Sequence, residues 1–248
     1  MTFTETPLGG AYIIDIVALT DDRGFFARTW SPDEFEKRGL DPTLVQCNVA
    51  WNPMKGTLRG MHFQRAPYEE VKIVRCTRGA LFDVIIDIVA LKDERGFFAR
   101  TWSADELTKR GLDATVVQCN VAFNPVKGTL RGMHFQRAPY DEVKIIRCTS
   151  GALYDVIVDL RPGSPTFRQW TSVEIDAESR RMLYIPKGMA HGYITLTDDV
   201  EAYYHVSAPY TPECAGGVAW DDPAFGIKWP FAPTVMSDRD RSWPRFNG

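Results

Sequence analysis

Four side chains in the second half of the chain have the types that acid–base chemistry needs. His134 lies in the strand-like run TLRGMHFQ, and Lys144 follows ten residues later in VKIIRC. His191 follows the Pro-x-Gly turn of YIPKGMAHGYITL, and Tyr204 lies in EAYYHV. An imidazole exchanges protons near neutral pH, since its unperturbed pKa is about 6.5. A lysine facing a barrel interior would add a fixed positive charge. Each residue also has an ordinary structural interpretation, as a strand histidine, a surface lysine or a core tyrosine.

Strand alternation predicts where these side chains point, because successive residues of a strand face opposite sides of the sheet. In TLRGMHFQ, one face carries Leu130, Gly132, His134 and Gln136, and the other carries Arg131, Met133 and Phe135. In EAYYHV, one face carries Ala202, Tyr204 and Val206, and the other carries Glu201, Tyr203 and His205. The apolar set should face the core. Tyr204 is therefore predicted to be a buried phenol.

The surroundings of His134 do not predict a metal site. Many jelly-roll proteins hold a metal with a His-x-His pair, a following Glu and a distant His. Here the run is His134-Phe135-Gln136, followed by Glu142 and His191. Gln136 stands where the second histidine is needed, and a neutral amide is a poor ligand for zinc or iron. We expect no metal and no cofactor.

The segment around His134 occurs twice in the chain. Residues 14–85 align with residues 86–157 at an offset of 72, without a gap, and 59 of the 72 positions are identical. KGTLRGMHFQRAPYEEVKI begins at Lys55, and KGTLRGMHFQRAPYDEVKI begins at Lys127. Two copies are too few for a solenoid. The pattern indicates a tandem duplication of part of one domain.

Short β-rich runs, divided by Gly, Pro and Asp turns, dominate both copies and the unique tail. In and next to copy 1 (residues 14–85) the runs are YIIDIVAL, LVQCNVA, TLRGMHFQ, VKIVRC and ALFDVIIDI. Copy 2 (residues 86–157) repeats them, and the tail adds WTSVEI, RMLYIP, GYITL, EAYYHV and GVAW. One short helix is predicted in each copy. The first runs from Ser31 to Gly39 and the second from Ser103 to Gly111. Glu34 is the predicted capping-box partner of Ser31. The prediction is an all-β fold of the sandwich, barrel or jelly-roll type.

The composition excludes several classes of protein. The net charge of −3 argues against a general nucleic-acid binder. No apolar run reaches membrane-spanning length, and the N-terminus MTFTETPLGG does not resemble a secretory signal. The five cysteines contain no CxxC pair, which is typical of reduced thiols in a cytoplasmic protein. We expect a cytoplasmic protein without nucleic-acid or membrane partners.

Several segments together resemble the dTDP-4-dehydrorhamnose 3,5-epimerase family, whose members are metal-independent enzymes on a cupin jelly roll. They are GTLRGMHFQ, VKIIRCTSGALYDVIVDLRPGSPTFRQW, YIPKGMAHGY, the Tyr204 strand and GVAWDDPAFGIKWP, in that order. The resemblance covers essentially the whole chain once the extra copy is set aside. It implies inversion of C3 and C5 of dTDP-4-dehydro-6-deoxy-D-glucose, giving dTDP-4-dehydro-L-rhamnose, by a homodimer that exchanges arms.

The resemblance also implies a role for individual residues. The family's catalytic base matches His134, and the aspartate that partners this base matches Asp240. The family's acid tyrosine matches Tyr204, and its lysine matches Lys144. Substrate contacts match the side chains of Arg131, Gln118, Asn120, His191 and Tyr210. An Arg-Gly-Phe-Phe arm, which family members lend to a partner subunit's nucleotide site, matches Arg23–Phe26 (the first arm) or Arg95–Phe98 (the second arm). Two departures, Glu142-Val143 in place of Gln-Gly and His205 in place of a lysine, bear on which sugar is accepted.

These roles agree with the chemistry of a 4-keto sugar. The ketone acidifies the protons at C3 and C5, because the resulting carbanion delocalises onto oxygen. His134 would take such a proton, Asp240 would hold the imidazole ring, and Lys144 would lie near the enolate oxygen. Tyr204 would return a proton from the opposite face. Two alternatives remain open: an epimerase that acts at C3 only, on a related dTDP-4-keto-6-deoxy sugar, and a nucleotide-sugar-binding cupin that has lost catalysis.

One active site per chain is expected, because His191, Tyr204, Tyr210 and Asp240 each occur once outside the repeat. We expect residues 86–248 to form the catalytic jelly roll. Residues 1–85 would be an appended half-barrel that is swapped or pairs with a partner subunit. In the alternative arrangement, copy 1 enters the barrel and copy 2 is looped out.

Overall fold

The computed structural model describes residues 1–5, 12–55, 57–59, 64, 67–77, 97–179 and 181–247. In chain order its strands are β1 (Thr2–Glu5), β2 (Tyr12–Asp15), β3 (Ala18–Asp21), β4 (Gly24–Trp30), β5 (Gln46–Trp51), β6 (Phe97–Ser103), β7 (Gln118–Asn124), β8 (Leu130–Gln136), β9 (Lys144–Ser150), β10 (Ala152–Asp159), β11 (Trp170–Asp176), β12 (Met182–Ile185), β13 (Met189–Thr195), β14 (Val200–Val206) and β15 (Ala215–Gly217). The helices are short: α1 (Pro32–Glu36), α2 (Ala104–Thr108) and α3 (Asp238–Arg241). The predicted all-β fold with short helices is confirmed. None of the helices in the described ranges has the length and apolar character to cross a membrane.

The chain divides into two compact units. Unit 1 combines Met1–Leu40 with Thr115–Gly248, and unit 2 is Asp41–Ala114. Unit 1 contains a five-stranded sheet in the order β11-β10-β13-β8-β15 and a six-stranded sheet in the order β12-β9-β14-β7-β4-β3. This arrangement of two packed antiparallel sheets is the predicted jelly roll.

The two sheets of unit 1 enclose an apolar interior. Leu153, Ile175 and Tyr193 of the five-stranded sheet pack in one cluster with Ile146 and Ala202 of the six-stranded sheet. Burial of such side chains contributes about 1.5–3 kcal/mol each to the free energy of unfolding. The interior cluster fixes the separation of the sheets and so the width of the space between them.

The outer face of the five-stranded sheet is covered by the C-terminal segment of unit 1. Met133, Val156, Val158 and Ala190 pack there against Val218, Phe225, Ile227, Trp229 and Phe246. The tail returns over strand β8 in this way, and it brings α3 to that strand. The GVAWDDPAFGIKWP segment therefore has a structural role, because it covers the sheet that carries His134.

Strand β4, from copy 1, pairs antiparallel with β7, from copy 2, and Arg28 lies opposite Asn120. The close approach at the start of β4 requires glycine. Gly24 has a φ of 118°, and a Cβ there would lie 2.1 Å from the carbonyl oxygen of Phe123. The arm of the first copy is thus a strand of the six-stranded sheet.

Unit 2 contains the equivalent pairing with the copies exchanged. Strand β5, from copy 1, pairs with β6, from copy 2, and Asn48 lies opposite Arg100. Adding the repeat offset of 72 to Arg28 and Asn48 gives Arg100 and Asn120, so the two pairs of strands have the same register. Each arm therefore pairs with the β7-type strand of the other copy.

The predicted boundary between residues 85 and 86 differs from this division. Copy 2 from Thr115 onwards does build the sheets of unit 1, but their arm comes from copy 1. The residues 14–40 and 86–112 are nearly identical, so either arm fits β7. The half-barrel expected for residues 1–85 stays a prediction: the described residues of its VKIVRC run, 71–76, form no strand, and its ALFDVIIDI run lies outside the described residues.

The helices begin at the predicted serines but are capped differently. Ser31 and Ser103 are the N-cap residues of α1 and α2, and neither side chain accepts a capping hydrogen bond. The prediction of a capping box between Ser31 and Glu34 is therefore wrong. The turn after α1 ends at Gly39, whose φ of 67° favours glycine.

Candidate active site

The centre of the candidate site is a histidine–aspartate pair between β8 and α3. Nε2 of His134 lies 2.6 Å from Oδ1 of Asp240. Asp240 is almost completely buried, with 1% of its side chain exposed, whereas 38% of the His134 side chain is accessible. The carboxylate is thus held inside the protein, and the imidazole side chain is partly accessible from outside.

The second oxygen of Asp240 also has partners. Oδ2 accepts a hydrogen bond from Nη1 of Arg23 at 2.7 Å and lies 3.4 Å from the backbone nitrogen of Gly132. The backbone N–H of Asp240 donates to Oγ of Ser237, the N-cap of α3. Both carboxylate oxygens are therefore fixed, and the orientation of the His134 ring follows from them.

These contacts shift the pKa values of the pair. Burial lowers the pKa of His134 below its ordinary value, although the hydrogen bond to Asp240 acts in the opposite direction. Burial acts to raise the pKa of Asp240, but His134, Arg23 and the Gly132 N–H together lower it. His134 is consequently a neutral base at neutral pH, beside a carboxylate that stays ionised.

The predicted alternation of β8 is wrong at Gly132. Leu130 and Met133 pack in clusters that both include Tyr154 and Trp229, so they share the outer face of the sheet. The β8–β13 register shifts at this point, and Gly132 has a φ of 151°. A Cβ on Gly132 would lie 2.6 Å from Cα of Gly192. Because the strand is irregular here, Arg131 and His134 are not on the opposite faces that alternation assigns to them.

Lys144 lies at the start of β9, beside Glu142. Its Nζ lies 2.6 Å from Oε1 of Glu142, and the two side chains are 14% and 10% exposed. The positive charge of Lys144 acts on both His134 and Asp155, in each case lowering the pKa. The lysine is therefore a largely buried cation whose charge acts on the histidine, and not a surface lysine.

Gln136 supports this part of the site through hydrogen bonds of its side chain. Its amide nitrogen lies within hydrogen-bonding distance of Glu142 Oε2 and of the carbonyl oxygens of Tyr140 and Pro209, at 3.2, 3.0 and 3.1 Å. Its Oε1 accepts from the Thr211 N–H at 2.7 Å. Among the described residues, no group of three or more His, Cys, Asp or Glu side chains could hold a metal ion.

Tyr204 lies on the six-stranded sheet, and its side chain faces the interior between the two sheets, as strand alternation predicts. Ala202 and Val206, its neighbours on the same face, are buried, and Tyr204 packs against the cluster that contains Tyr193 of the opposite sheet. Burial raises the pKa of the Tyr204 phenol. The phenol is therefore protonated at neutral pH and can act as an acid.

A second histidine and a buried carboxylate lie next to His134. His191 is the β13 partner of His134, and its Nε2 lies 2.9 Å from Oδ1 of Asp155. Burial raises the pKa of Asp155. The sequence predicts His191 as a site residue but not Asp155. The signal for Asp155 is its place as the first of two acidic residues in the apolar strand LYDVIVDL, where a buried carboxylate needs a partner.

The nucleotide-side candidates lie on β7 and β4. Gln118 and Asn120 are 6% and 3% exposed, and Oδ1 of Asn120 has no hydrogen-bond partner among the described residues. Arg28, opposite Asn120 in the register, has a buried Nε that likewise lacks a partner in the described part of the chain. Arg28, which is not among the residues predicted from the sequence, adds a positive charge to the site. Arg131 is anchored by a 2.7 Å hydrogen bond from its Nε to Oδ1 of Asn124.

The remaining candidates differ in how the structure places them. The ring centroid of Phe26 lies 6.5 Å from that of Tyr204, which joins the first arm to the site. Tyr210 is 52% exposed, and its hydroxyl accepts from Arg239 at 3.1 Å, so it lies at the rim. Phe98 belongs to β6 in unit 2. Arg95 lies outside the described residues.

The chain is similar to known proteins of one family. The family described as dTDP-4-dehydrorhamnose 3,5-epimerase matches residues 5–90 and again residues 89–248. A protein of that name from Sinorhizobium fredii is 41% identical over 193 residues, which cover 77% of this chain and 93% of that protein.

Two solved structures are similar in fold and sequence. One is the Bacillus anthracis dTDP-4-dehydrorhamnose 3,5-epimerase with TDP and PPi bound. It is 41% identical in sequence with a TM-score of 0.61, and the match covers 62% of this chain and 89% of that chain. The other is ChmJ, a 3'-monoepimerase from Streptomyces bikiniensis in complex with dTDP-quinovose. It is 37% identical with a TM-score of 0.57, and the match covers 62% of this chain and 78% of that chain.

Proposed function

The chain belongs to the dTDP-4-dehydrorhamnose 3,5-epimerase family, and we propose that it inverts C3 and C5 of dTDP-4-dehydro-6-deoxy-D-glucose to give dTDP-4-dehydro-L-rhamnose. The enzyme is an isomerase. The observation that carries the proposal is the His134–Asp240 pair, beside a buried lysine on β9 and with a protonated tyrosine on the facing sheet.

His134 is the base in this proposal. Its lowered pKa keeps the ring neutral, so that it can take the proton from C3 or C5 near pH 7. As the proton arrives, Asp240 stabilises the imidazolium and keeps the ring in place. A positioned base of this kind typically contributes roughly 10²–10⁴-fold to the rate.

Lys144 and Tyr204 complete the reaction. Lys144 stabilises the enolate oxygen that forms at C4, because a fixed positive charge favours developing negative charge in a site of low dielectric. Tyr204 then donates a proton to the other face of the sugar ring, which inverts the centre. The raised pKa of its phenol supports a role as acid and not as base.

The substrate is held by the surrounding polar residues. We assign the nucleotide to Gln118, Asn120 and the first arm, and the diphosphate to arginines of the site, including Arg131 and Arg28. His191 and Tyr210 would contact the sugar. The TDP and PPi of the Bacillus anthracis structure support a nucleotide diphosphate as the ligand class. The catalytic unit is then unit 1, and unit 2 takes no part in the chemistry.

The cellular context rests on the chemistry of the chain. All five cysteines are free thiols, which supports residence in the cytoplasm. Formation of a homodimer remains a prediction.

Uptake of solvent deuterium tests the proposal and separates it from its alternatives. A purified dTDP-4-keto-6-deoxy sugar is incubated with the enzyme in D₂O, and the positions of deuterium are read by NMR. Exchange at C3 and C5 with inversion of both is the expected result. Exchange at C3 alone would assign a 3'-monoepimerase activity, as in ChmJ, and dTDP binding without any exchange would indicate a binding protein that has lost catalysis.

A further inference from the structure

The arm of copy 1 reaches the catalytic pair of copy 2 through an ion pair. Arg23 precedes β4, and its Nη1 lies 2.7 Å from Oδ2 of Asp240. The two side chains are 14% and 1% exposed, so the contact is largely shielded from water. Ion pairs of this kind are screened much less by salt than pairs on the surface.

Arg23 is itself held in a defined position. Its Nε lies 3.2 and 3.1 Å from the two carboxylate oxygens of Asp21, and its backbone N–H donates to Asp21 Oδ1 at 2.9 Å. Asp21 and Gly24 are a register pair in the β3–β4 hairpin, and β4 is fixed in turn on β7. The guanidinium group is therefore aimed at Asp240 by the strand pairing of the arm.

We propose that Arg23 is a positioning residue for the His134–Asp240 pair, and that the duplication supplies it to the site from within the same chain. Arg23 holds Oδ2 of Asp240 while Oδ1 faces His134, so it acts through the aspartate and touches no reacting atom. This inference rests on the proposed function only for the meaning of the pair in catalysis.

The origin of the arm follows from the reciprocal strand pairing. Copy 1 contributes β4 to the sheet that contains β7 of copy 2, and copy 2 contributes β6 to β5 of copy 1. An arm that would otherwise come from a partner subunit is thereby present twice in one chain. The first arm is used in the site, and the second is paired elsewhere.

The positioning role is tested by NMR titration of the His134 imidazole in the free protein, so the result does not depend on turnover. The charged groups that act on this ring are Asp240, Lys144 and His191, with Arg23 acting behind Asp240. Replacing Arg23 with glutamine removes a positive charge from Asp240. The carboxylate then favours the imidazolium more strongly, so Arg23→Gln should raise the pKa of His134.

The matched control is Arg23→Lys, which keeps the charge and should leave the pKa near that of the unchanged protein. The rate of exchange at pH 7 should fall by about tenfold to 100-fold in Arg23→Gln, with a smaller loss in Arg23→Lys, because misplaced catalytic groups cost rates of this order. An unchanged titration of His134 in Arg23→Gln would overturn the positioning role. Absence of exchange in the unchanged enzyme would instead contradict the proposed function, and the titration would still decide on Arg23.

The origin of the arm is tested with mixed chains. An Arg23→Gln chain and a His134→Ala chain are co-expressed in isotope-labelled medium with different tags and purified over both, so that only the Arg23→Gln chain contributes a His134 signal. If the arm acts within its own chain, this His134 signal keeps its raised pKa. Recovery of the original pKa would mean that the second chain supplies the arm, and would overturn the inference. If no doubly tagged species forms, an unaltered pKa of His134 in the unchanged single chain supports the inference that the arm comes from the same chain.

Discussion

His134 and Asp240 are 106 positions apart in the chain, and their side chains meet at 2.6 Å. One belongs to the repeated segment and the other to the unique tail. The catalytic pair can therefore form only once, although the histidine segment occurs twice.

The first prediction concerns the two histidines of the repeat. His134→Ala should lower the rate of exchange by about 10²–10⁴-fold, because it removes the base. His62→Ala, the equivalent change in copy 1, should leave most of the activity. Solvent deuterium uptake measures both variants. Equal losses in the two would contradict the assignment of the site to copy 2.

Tyr204→Phe should separate proton exchange from inversion. His134 remains able to take a proton and return it to the same face, so deuterium should still enter the substrate. The epimerised product should nearly disappear, because no phenol protonates the opposite face. The ratio of product to incorporated deuterium, followed by NMR, is the measurement. Loss of exchange and product in equal proportion would argue against Tyr204 as the acid.

Lys144 can be compared with its equivalent in copy 1. Lys144→Met should lower the rate of exchange by about 10²–10³-fold, the usual loss when one stabilising group for an oxyanion is removed. Lys72→Met is the matched control, because Lys72 pairs with Glu70 and 47% of its side chain is exposed. Binding of dTDP should change little in either variant. A similar loss in both would contradict a special role for Lys144.

The pH dependence of exchange should show a broad plateau. Because the pKa of His134 is lowered, the neutral form of the base predominates at pH 6.5, and protonation of the ring increases as the pH falls further. The rate should therefore decline on the acid side below pH 6.5. The raised pKa of Tyr204 places the loss of the acid above pH 10. Rates measured between pH 5 and 9 check this prediction, and a midpoint above pH 7 would contradict it.

Gln136 should matter for stability. Gln136→Ala removes an amide that contacts two carbonyl groups, Glu142 and the Thr211 N–H, so it should lower the free energy of unfolding by about 1–3 kcal/mol. The equivalent Gln64 is exposed, and Gln64→Ala should change it by less than about 0.5 kcal/mol. Denaturant titration of both variants gives the comparison. A negligible effect of Gln136→Ala would mean that these contacts are not important for folding.

Much of this site could be predicted from residue types and order, because the motifs are local. The alternation of β14 placed Tyr204 correctly, since that strand is regular and its apolar set faces the interior. Alternation failed in β8, where Gly132 interrupts the strand. An isolated glycine in a strand is a known sign of a bulge or of close backbone contact, so this failure had a visible signal.

The origin of the arm could not be predicted in the same way. The residues 14–40 and 86–112 are almost the same sequence, so local propensity and pattern are equal for both. Only the three-dimensional pairing of β4 with β7 distinguishes them. The partners of Asp240 were also beyond sequence reasoning, since Arg23 lies 217 positions away.

The reciprocal pairing of the two copies has a consequence for the evolution of the gene. Selection for activity acts on the first part of copy 1, which supplies β4, and on the later part of copy 2, which supplies β7 to β10. Selection acts on the later part of copy 1 and the first part of copy 2 only through the folding and solubility of the protein. The two halves of each copy should therefore diverge at different rates, and mutations would accumulate first between residues 41 and 114.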